Sequence, residues 1–278
     1  MAQSSKNKKD GKLKSLFTDL TLRRGGFSIV IFLVLWEVGF RFHDWFGIMV
    51  PFIGKIDAPS LVVARWSEVI FKPGYWESWY LSFGRVFFGF MVAQLVGIPV
   101  GSLMAVNKYF RGMFFPPFEI LRPIPPLAWV PASIIFWPTT ELSIMFVTFL
   151  GAFYTIVINV LGGARSIDVQ YLRAAQSMGA TQWDLFRKII LPGTLPSIFI
   201  GAAVGMGITW EVVLAAEMIS GGGQQSGGGL GFFIWSSYMG GVMDQVIVGM
   251  ISIGLAGYIS SSLIRYVGYI SMPSKRMF

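Results

Sequence analysis

Among the ionisable residues that stand inside long apolar stretches of the chain are Glu37, Arg85, Glu119, Arg122, Glu211 and Glu217. At membrane depth such side chains are expensive and face protein or water, so each needs a partner or a task. The usual catalytic sets are absent by residue type. With one histidine, His43, no cysteine and no clustered carboxylates, neither a multi-histidine metal site, a thiolate centre nor an acid-base constellation can be assembled. What remains is the handling of charge.

Glu119 and Arg122 are three residues apart, the spacing of a neutralising pair on one helix face. Arg85 suits an acidic partner or lipid at the interface, or attraction of an anion from the outer side. Glu211 and Glu217 read as packing and gating residues of the fifth apolar segment, because like charges would repel an anion. Between Arg122 and Pro131 the chain reads RPIPPLAWVP. Its Pro123, Pro125, Pro126 and Pro131 cannot continue an unbroken helix, and freed backbone groups at membrane depth survive only beside protein or a water-filled cavity. The candidate pathway or gate is therefore Arg85, Arg122, Pro125, Pro126, Trp129, Trp210 and Glu217. The two tryptophans would supply bulk there, or pack in lipid or at an interface between chains.

These residues must be positioned by membrane helices. The 278 residues are 54% hydrophobic and 13% charged, against about 25% charged in ordinary soluble domains. A bilayer core of about 30 Å takes roughly 20 helical residues to cross. Segments near 26–46, 79–106, 112–136, 141–162, 195–219 and 240–265 meet that length, the third being the least regular. The expectation is an all-α integral membrane protein of about six transmembrane helices. Gly97 with Gly101, and Gly201 with Gly205, place small residues one turn apart for close helix contact.

The net charge of +8 does not point to nucleic acid, since the basic residues collect at the ends of apolar segments. Lys6, Lys8, Lys9, Lys12, Lys14, Arg23 and Arg24 precede the first segment; Lys108, Arg111, Arg165, Arg173, Arg187, Lys188, Arg265, Lys275 and Arg276 fall on the same side. Only Arg41, Lys55, Arg65 and Lys72 lie opposite. Positive residues concentrate inside, so both termini are expected in the cytoplasm. Residues 1–25 then form a cytoplasmic basic arm rather than a cleaved signal peptide. In the outer stretch 47–78, SLVVARWSEVIF has helical apolar spacing at Leu61, Val62, Trp66, Val69 and Ile70, as expected of an amphipathic helix on the outer surface. Ser220 to Gly231, SGGGQQSGGGLG, reads as a flexible outer loop without phosphate-binding spacing.

One cytoplasmic stretch, RAAQSMGATQWDLFRKIILP (Arg173–Pro192), is too structured for a simple connection. Asp168 can cap a short helix, Gly179 can end it in a left-handed turn, and Thr181 with Asp184 has the capping-box pattern opening a second helix. Pro192 and Pro196 mark its exit toward the fifth segment. On these residues alone, a connector lying at headgroup level is an equal reading. The stretch resembles, however, the EAA loop of ABC importer permeases, matching its Ala-Ala, Gly and Ile-x-Leu-Pro positions in register. Arg173 stands where that family usually has Glu, so the family's usual salt bridge there cannot be carried over.

LRPIPPLAWVPASIIFW, LPSIFIGAAVGMGITWEVVLAAEM and GLGFFIW extend the resemblance over most of the chain. Together they are similar to the branch serving nitrate, bicarbonate, taurine and alkanesulfonate, and most similar to cyanobacterial-type nitrate/nitrite permeases. The resemblance implies a type I ABC importer transmembrane domain over 26–278 in a bacterial inner membrane, with 166–194 as the cytoplasmic coupling loop. It implies ATPase coupling through Arg173, Ala174, Ala175, Gly179, Gln182, Trp183, Phe186 and Arg187. No cofactor would be bound by this chain, because ATP and Mg would belong to two partner ATPase subunits. A second permease copy, an outer solute-binding protein, a small anion and membrane lipid would complete the set of partners, without nucleic acid. A stand-alone channel or ion-driven carrier would leave the EAA-like loop without a use, and a membrane enzyme lacks a reactive constellation.

Overall fold

The computed structural model describes residues 25–43, 45–47, 56–220 and 228–272, so the basic arm other than Gly25 lies outside the described residues. Among them every regular element is helical. In chain order these are α1 (Gly25–His43), α2 (Pro59–Val69), α3 (Pro73–Val106), α4 (Lys108–Leu121), a 3-10 turn (Pro126–Trp129), α5 (Val130–Phe136) and α6 (Thr140–Arg165). Then follow α7 (Val169–Ser177), α8 (Gln182–Leu185), a π turn (Phe186–Ile190), α9 (Leu191–Ile219), α10 (Leu230–Met239) and α11 (Met243–Ser271). The described residues form two compact units, one of residues up to Glu68 with Met243–Val248, the other of Val69–Val242 with those from Gly249 on.

In the first unit Glu37 and Arg41 neutralise each other at 2.7 Å, one turn apart. The Ser60 hydroxyl donates to Glu37 at 2.8 Å. The expected outer helix is α2. Val62 and Val69 are buried and Trp66 half-buried, whereas Leu61 and Ile70 are exposed. Its position is fixed by charge as well as by an apolar face: Arg65 donates to Asp244 at 2.7 Å and pairs with Glu68 at 2.7 Å.

The second unit is built on close helix contacts at glycines. A Cβ on Gly89 would stand 2.9 Å from Thr148 Cβ, on Gly97 3.1 Å from Ile156 Cγ2, and on Gly101 2.8 Å from Val160 Cβ. Each step along α3 is matched by a step in the same direction along α6, so these helices are parallel. Gly201 meets Asn159 and Gly205 meets Ala152, so α9 runs antiparallel to α6. Likewise Gly268 meets Phe199 and Gly257 meets Trp210, so α11 runs antiparallel to α9. The small-residue spacings at 97/101 and 201/205 thus lie in helix contacts, as expected.

Five helices are long and apolar enough to span a membrane: Gly25–His43, Pro73–Val106, Thr140–Arg165, Gln182–Ile219 and Met243–Ser271. The third expected segment is not among them. It is two short helices, α4 and α5, separated by Arg122–Pro125 and the 3-10 turn. Because α3 and α6 are parallel, the chain between them must return across the same thickness, and this interrupted segment makes that return. The break falls at the proline run, where missing N–H donors and ring clashes end a helix.

Three boundaries differ from the sequence expectation. The second span begins at Pro73, because proline at a first helical position carries no penalty. GLGFFIW forms its own short helix, α10, before α11 starts at Met243. Pro192 and Pro196 do not interrupt the chain: α8, the π turn and α9 run on as one helix from Gln182 to Ile219. The wider turn, in which Leu191 N–H bonds Phe186 O, accommodates the proline that follows it.

Candidate functional site

The loop expected on the cytoplasmic side is built as its residue types require. Asp168 Oδ1 accepts from Gln170 N–H at 2.8 Å and starts α7. At the other end Ala180 N–H bonds Ala175 O at 3.0 Å and Gly179 N–H bonds Gln176 O at 2.9 Å, the two bonds of a Schellman motif. That motif requires a left-handed residue, and Gly179 has φ +85°. Thr181 then accepts from Asp184 N–H at 3.2 Å while Asp184 accepts from Thr181 N–H at 3.2 Å, a reciprocal capping box. Lys188 sits 2.7 Å from Asp184. These bonds, Lys188 foremost and Thr181 next, lower the Asp184 pKa to about 2. The apolar run of this long helix begins only at Ile189, so Asp184 stands ahead of it.

Arg173, Ala174, Gly179, Gln182, Trp183 and Arg187 are exposed, and Phe186 is half-buried with its ring 5.7 Å from Trp183. Ala175 is buried within the loop, where it packs the turn instead of presenting a surface. Two exposed apolar residues were missed in the sequence, Tyr171 and Met178. They stand four residues before and three after Ala175, on the same side of the loop, and line one cavity with it.

The outer ends of α3, α6 and α9 meet in a charged cluster. Arg85 is 1% exposed and Glu217 0%, and they lie 2.8 Å apart. Arg85 also pairs with Glu141 and donates to Gly228 O at 2.6 Å. Ser82 donates to Glu217 at 2.8 Å, and Gly231 N–H donates to the same carboxylate at 2.8 Å. Leu230 N–H, at the start of α10, donates to Ser82 at 2.8 Å. Every strong group is therefore engaged, as burial demands. Of the glycine-rich stretch, residues 221–227 lie outside the described residues, but Gly228–Gly231 are pinned to this cluster. Arg85 thus has acidic partners, one of the alternatives left open by the sequence. In the sequence Glu141 stands at a span boundary, and nothing local marks it as that partner.

The rest of the candidate pathway set is dispersed. Trp210 is buried, its indole N–H bonded to Ser260 at 3.0 Å under Gly257. Glu211 is exposed on α9. Trp129 is half-buried in the interrupted segment, and its indole N–H has no partner among the described residues. Arg122 and Glu119 form the expected pair at 3.1 Å and remain 45% and 46% exposed. Arg122 and Pro126 line a cavity of about 360 Å³ against α6 and α9; Pro125 is exposed beside it. Arg85, Glu217 and Trp210 do not line that cavity.

The second unit thus combines a parallel pair of spans, an interrupted return segment and a capped two-helix loop. Residues 97–275 match the family described as the binding-protein-dependent transport system inner membrane component. The chain belongs to that family. It is the transmembrane permease subunit of an ABC importer, in which separate subunits hydrolyse ATP. A relative bearing the name of an ABC transporter permease protein in Methanocaldococcus jannaschii is 40% identical over 67% of this chain and 68% of its own length. The nitrate import permease of Leptolyngbya laminosa is 33% identical over 78% and 80%. The bicarbonate transport permease of Synechococcus elongatus is 34% identical over 70% and 68%. Among solved structures, the inward-facing MetNI methionine ABC transporter covers 77% of this chain and 95% of its own, at 26% identity and a TM-score of 0.51.

Proposed function

We propose that this permease imports a small oxyanion, nitrate or nitrite foremost, across a bacterial inner membrane by alternating access. Its likeness to the nitrate import permease over more than three quarters of the chain carries the substrate reading; the bicarbonate relative and a taurine permease relative keep bicarbonate and sulfonates as the second reading. Two copies of the chain form the pathway, two ATPase subunits bind ATP and Mg beneath them, and an outer solute-binding protein delivers the anion. Coupling runs through the rigid turn between α7 and α8, with Trp183, Phe186, Gln182 and Arg187 toward the ATPase and Arg173 available to an acidic partner residue.

The test is nitrate uptake into proteoliposomes holding the permease, its ATPases and the binding protein, with and without ATP. Uptake is expected only with ATP. Gly179→Val, forced into a left-handed conformation that costs roughly 1–2 kcal/mol for a residue with Cβ, is expected to abolish coupled uptake while the subunits still copurify. Uptake without ATPase subunits would overturn the importer mechanism, and ATP-driven uptake of bicarbonate or a sulfonate alone would overturn nitrate.

A further inference from the structure

The cavity beside the interrupted segment lies near the middle of α6. At 1.5 Å per residue Tyr154 stands roughly 21 Å from the outer end of α6 and roughly 16 Å from its inner end. Its polar lining is Arg122, Tyr154 and Thr155; Leu150, Ile158 and Ile208 supply apolar walls. Glu119 engages Arg122 through Nη1 alone. Among the described residues the other guanidinium nitrogens, and the hydroxyls of Tyr154 and Thr155, make no hydrogen bond to another residue. A cation and two hydroxyls near the middle of α6, incompletely used and beside a broken helix, have the chemistry of a ligand site.

We infer that this cavity is a transient binding site, within the translocation path, for a planar monovalent oxyanion. The inference rests on the anion-importer reading and names the substrate class and the residues that meet it. A guanidinium fork matches two oxygens of a planar anion. Tyr154 and Thr155 can each donate to the third oxygen or to an edge. One cation and apolar walls disfavour a strongly hydrated dianion, whose lost hydration would not be replaced. Glu119 keeps the empty site neutral and competes for Arg122 when it is full, so the anion is held weakly enough to leave.

The experiment is ATP-dependent nitrate uptake by the complete complex in proteoliposomes, with copurification of the ATPase subunits as the assembly control. Arg122→Gln is expected to reduce uptake by about tenfold or more, the scale of a lost charge-assisted bond. Arg122→Lys retains a charge opposite Glu119 but loses the fork, and is also expected to be impaired, by about threefold or more. The double variant Glu119→Gln with Arg122→Gln is expected to stay as slow as Arg122→Gln. Tyr154→Phe removes one hydroxyl and is expected to cost about threefold.

Recovery of the wild-type rate in the double variant, or in Arg122→Lys, would show that Arg122 serves only to neutralise Glu119 and would overturn the site. Normal uptake by Arg122→Gln would overturn it equally, with the importer reading intact. A wild-type complex that takes up taurine but neither nitrate nor bicarbonate would instead sink the planar-anion class together with the nitrate reading, whatever the variants do.

Discussion

Arg85, in α3, and Arg122, where α4 ends, both belong to the second unit, and they are used in opposite ways. Arg85 is 1% exposed and bonded to Glu141, Glu217 and Gly228 O. Arg122 is 45% exposed and bonded to Glu119 only through Nη1. The first holds α3, α6 and α9 to the start of α10; its donors are directed at fixed protein acceptors. The second stands at a break in the backbone with donors to spare beside a cavity. The difference teaches that a charge at membrane depth is not by itself a site. What separates a clasp from a binding group is whether its hydrogen-bonding capacity is already consumed.

The sharpest way to break the comparison is to remove the clasp. Arg85→Leu would leave Glu217 fully buried without its cation, and removing one partner of a buried pair costs about 3–5 kcal/mol. Unfolding of the purified permease in detergent, followed by denaturant or heat, should show that loss. Neutralising both carboxylates as well, with Glu141→Gln and Glu217→Gln, should recover much of it. An Arg85→Leu protein as stable as wild type would mean that the outer cluster is not a structural clasp.

Legibility in the sequence divides along the same line. Local patterns were readable: the capping residues Asp168, Thr181 and Asp184, the left-handed Gly179, and the glycine pairs at 97/101 and 201/205 all act through near neighbours or through one helix face. The prolines announced the break near 122–126 for the same reason. Long-range partners were not readable. Glu141 is 56 residues from Arg85, and no local spacing connects them. Tyr154 and Thr155 looked like ordinary members of an apolar span, and only the parallel packing of α3 on α6 places the returning segment against them. Proline's local meaning also misled once, since at Pro192 a π turn absorbs what would otherwise end the helix. The substrate proposal rests on family resemblance alone.

A second test disturbs the clasp without changing any charge. A Cβ on Gly231 would run into the backbone oxygen of Leu214 and stand 2.8 Å from Glu217 Cβ. Backbone cannot rotate aside as a long side chain can, so Gly231→Ala should cost about 1–3 kcal/mol as overpacking. It should also pull the Gly231 N–H away from Glu217. Gly112→Ala is the matched control: that glycine lies within α4 with nothing near its added methyl, and alanine there should be neutral or stabilising by roughly 0.5–1 kcal/mol. Equal losses in the two variants would remove the argument that contact at the cluster, rather than glycine itself, is what matters.

The smallest expected effect sharpens the comparison most. Arg122 and Glu119 are both nearly half exposed, and pairs of that kind contribute about 0–1 kcal/mol. Arg122→Gln should therefore shift unfolding by no more than about 1 kcal/mol, measured beside Arg85→Leu in the same detergent. Coupled with the expected loss of nitrate uptake, that small shift would separate transport from stability in one residue. Arg85→Leu should lose both together, because a bundle that cannot hold its outer end has no stable pathway to lose. If Arg122→Gln unfolded as readily as Arg85→Leu, the exposed guanidinium would be acting as a second clasp, and its spare donors would be engaged in the assembled importer by protein instead of by the transported anion.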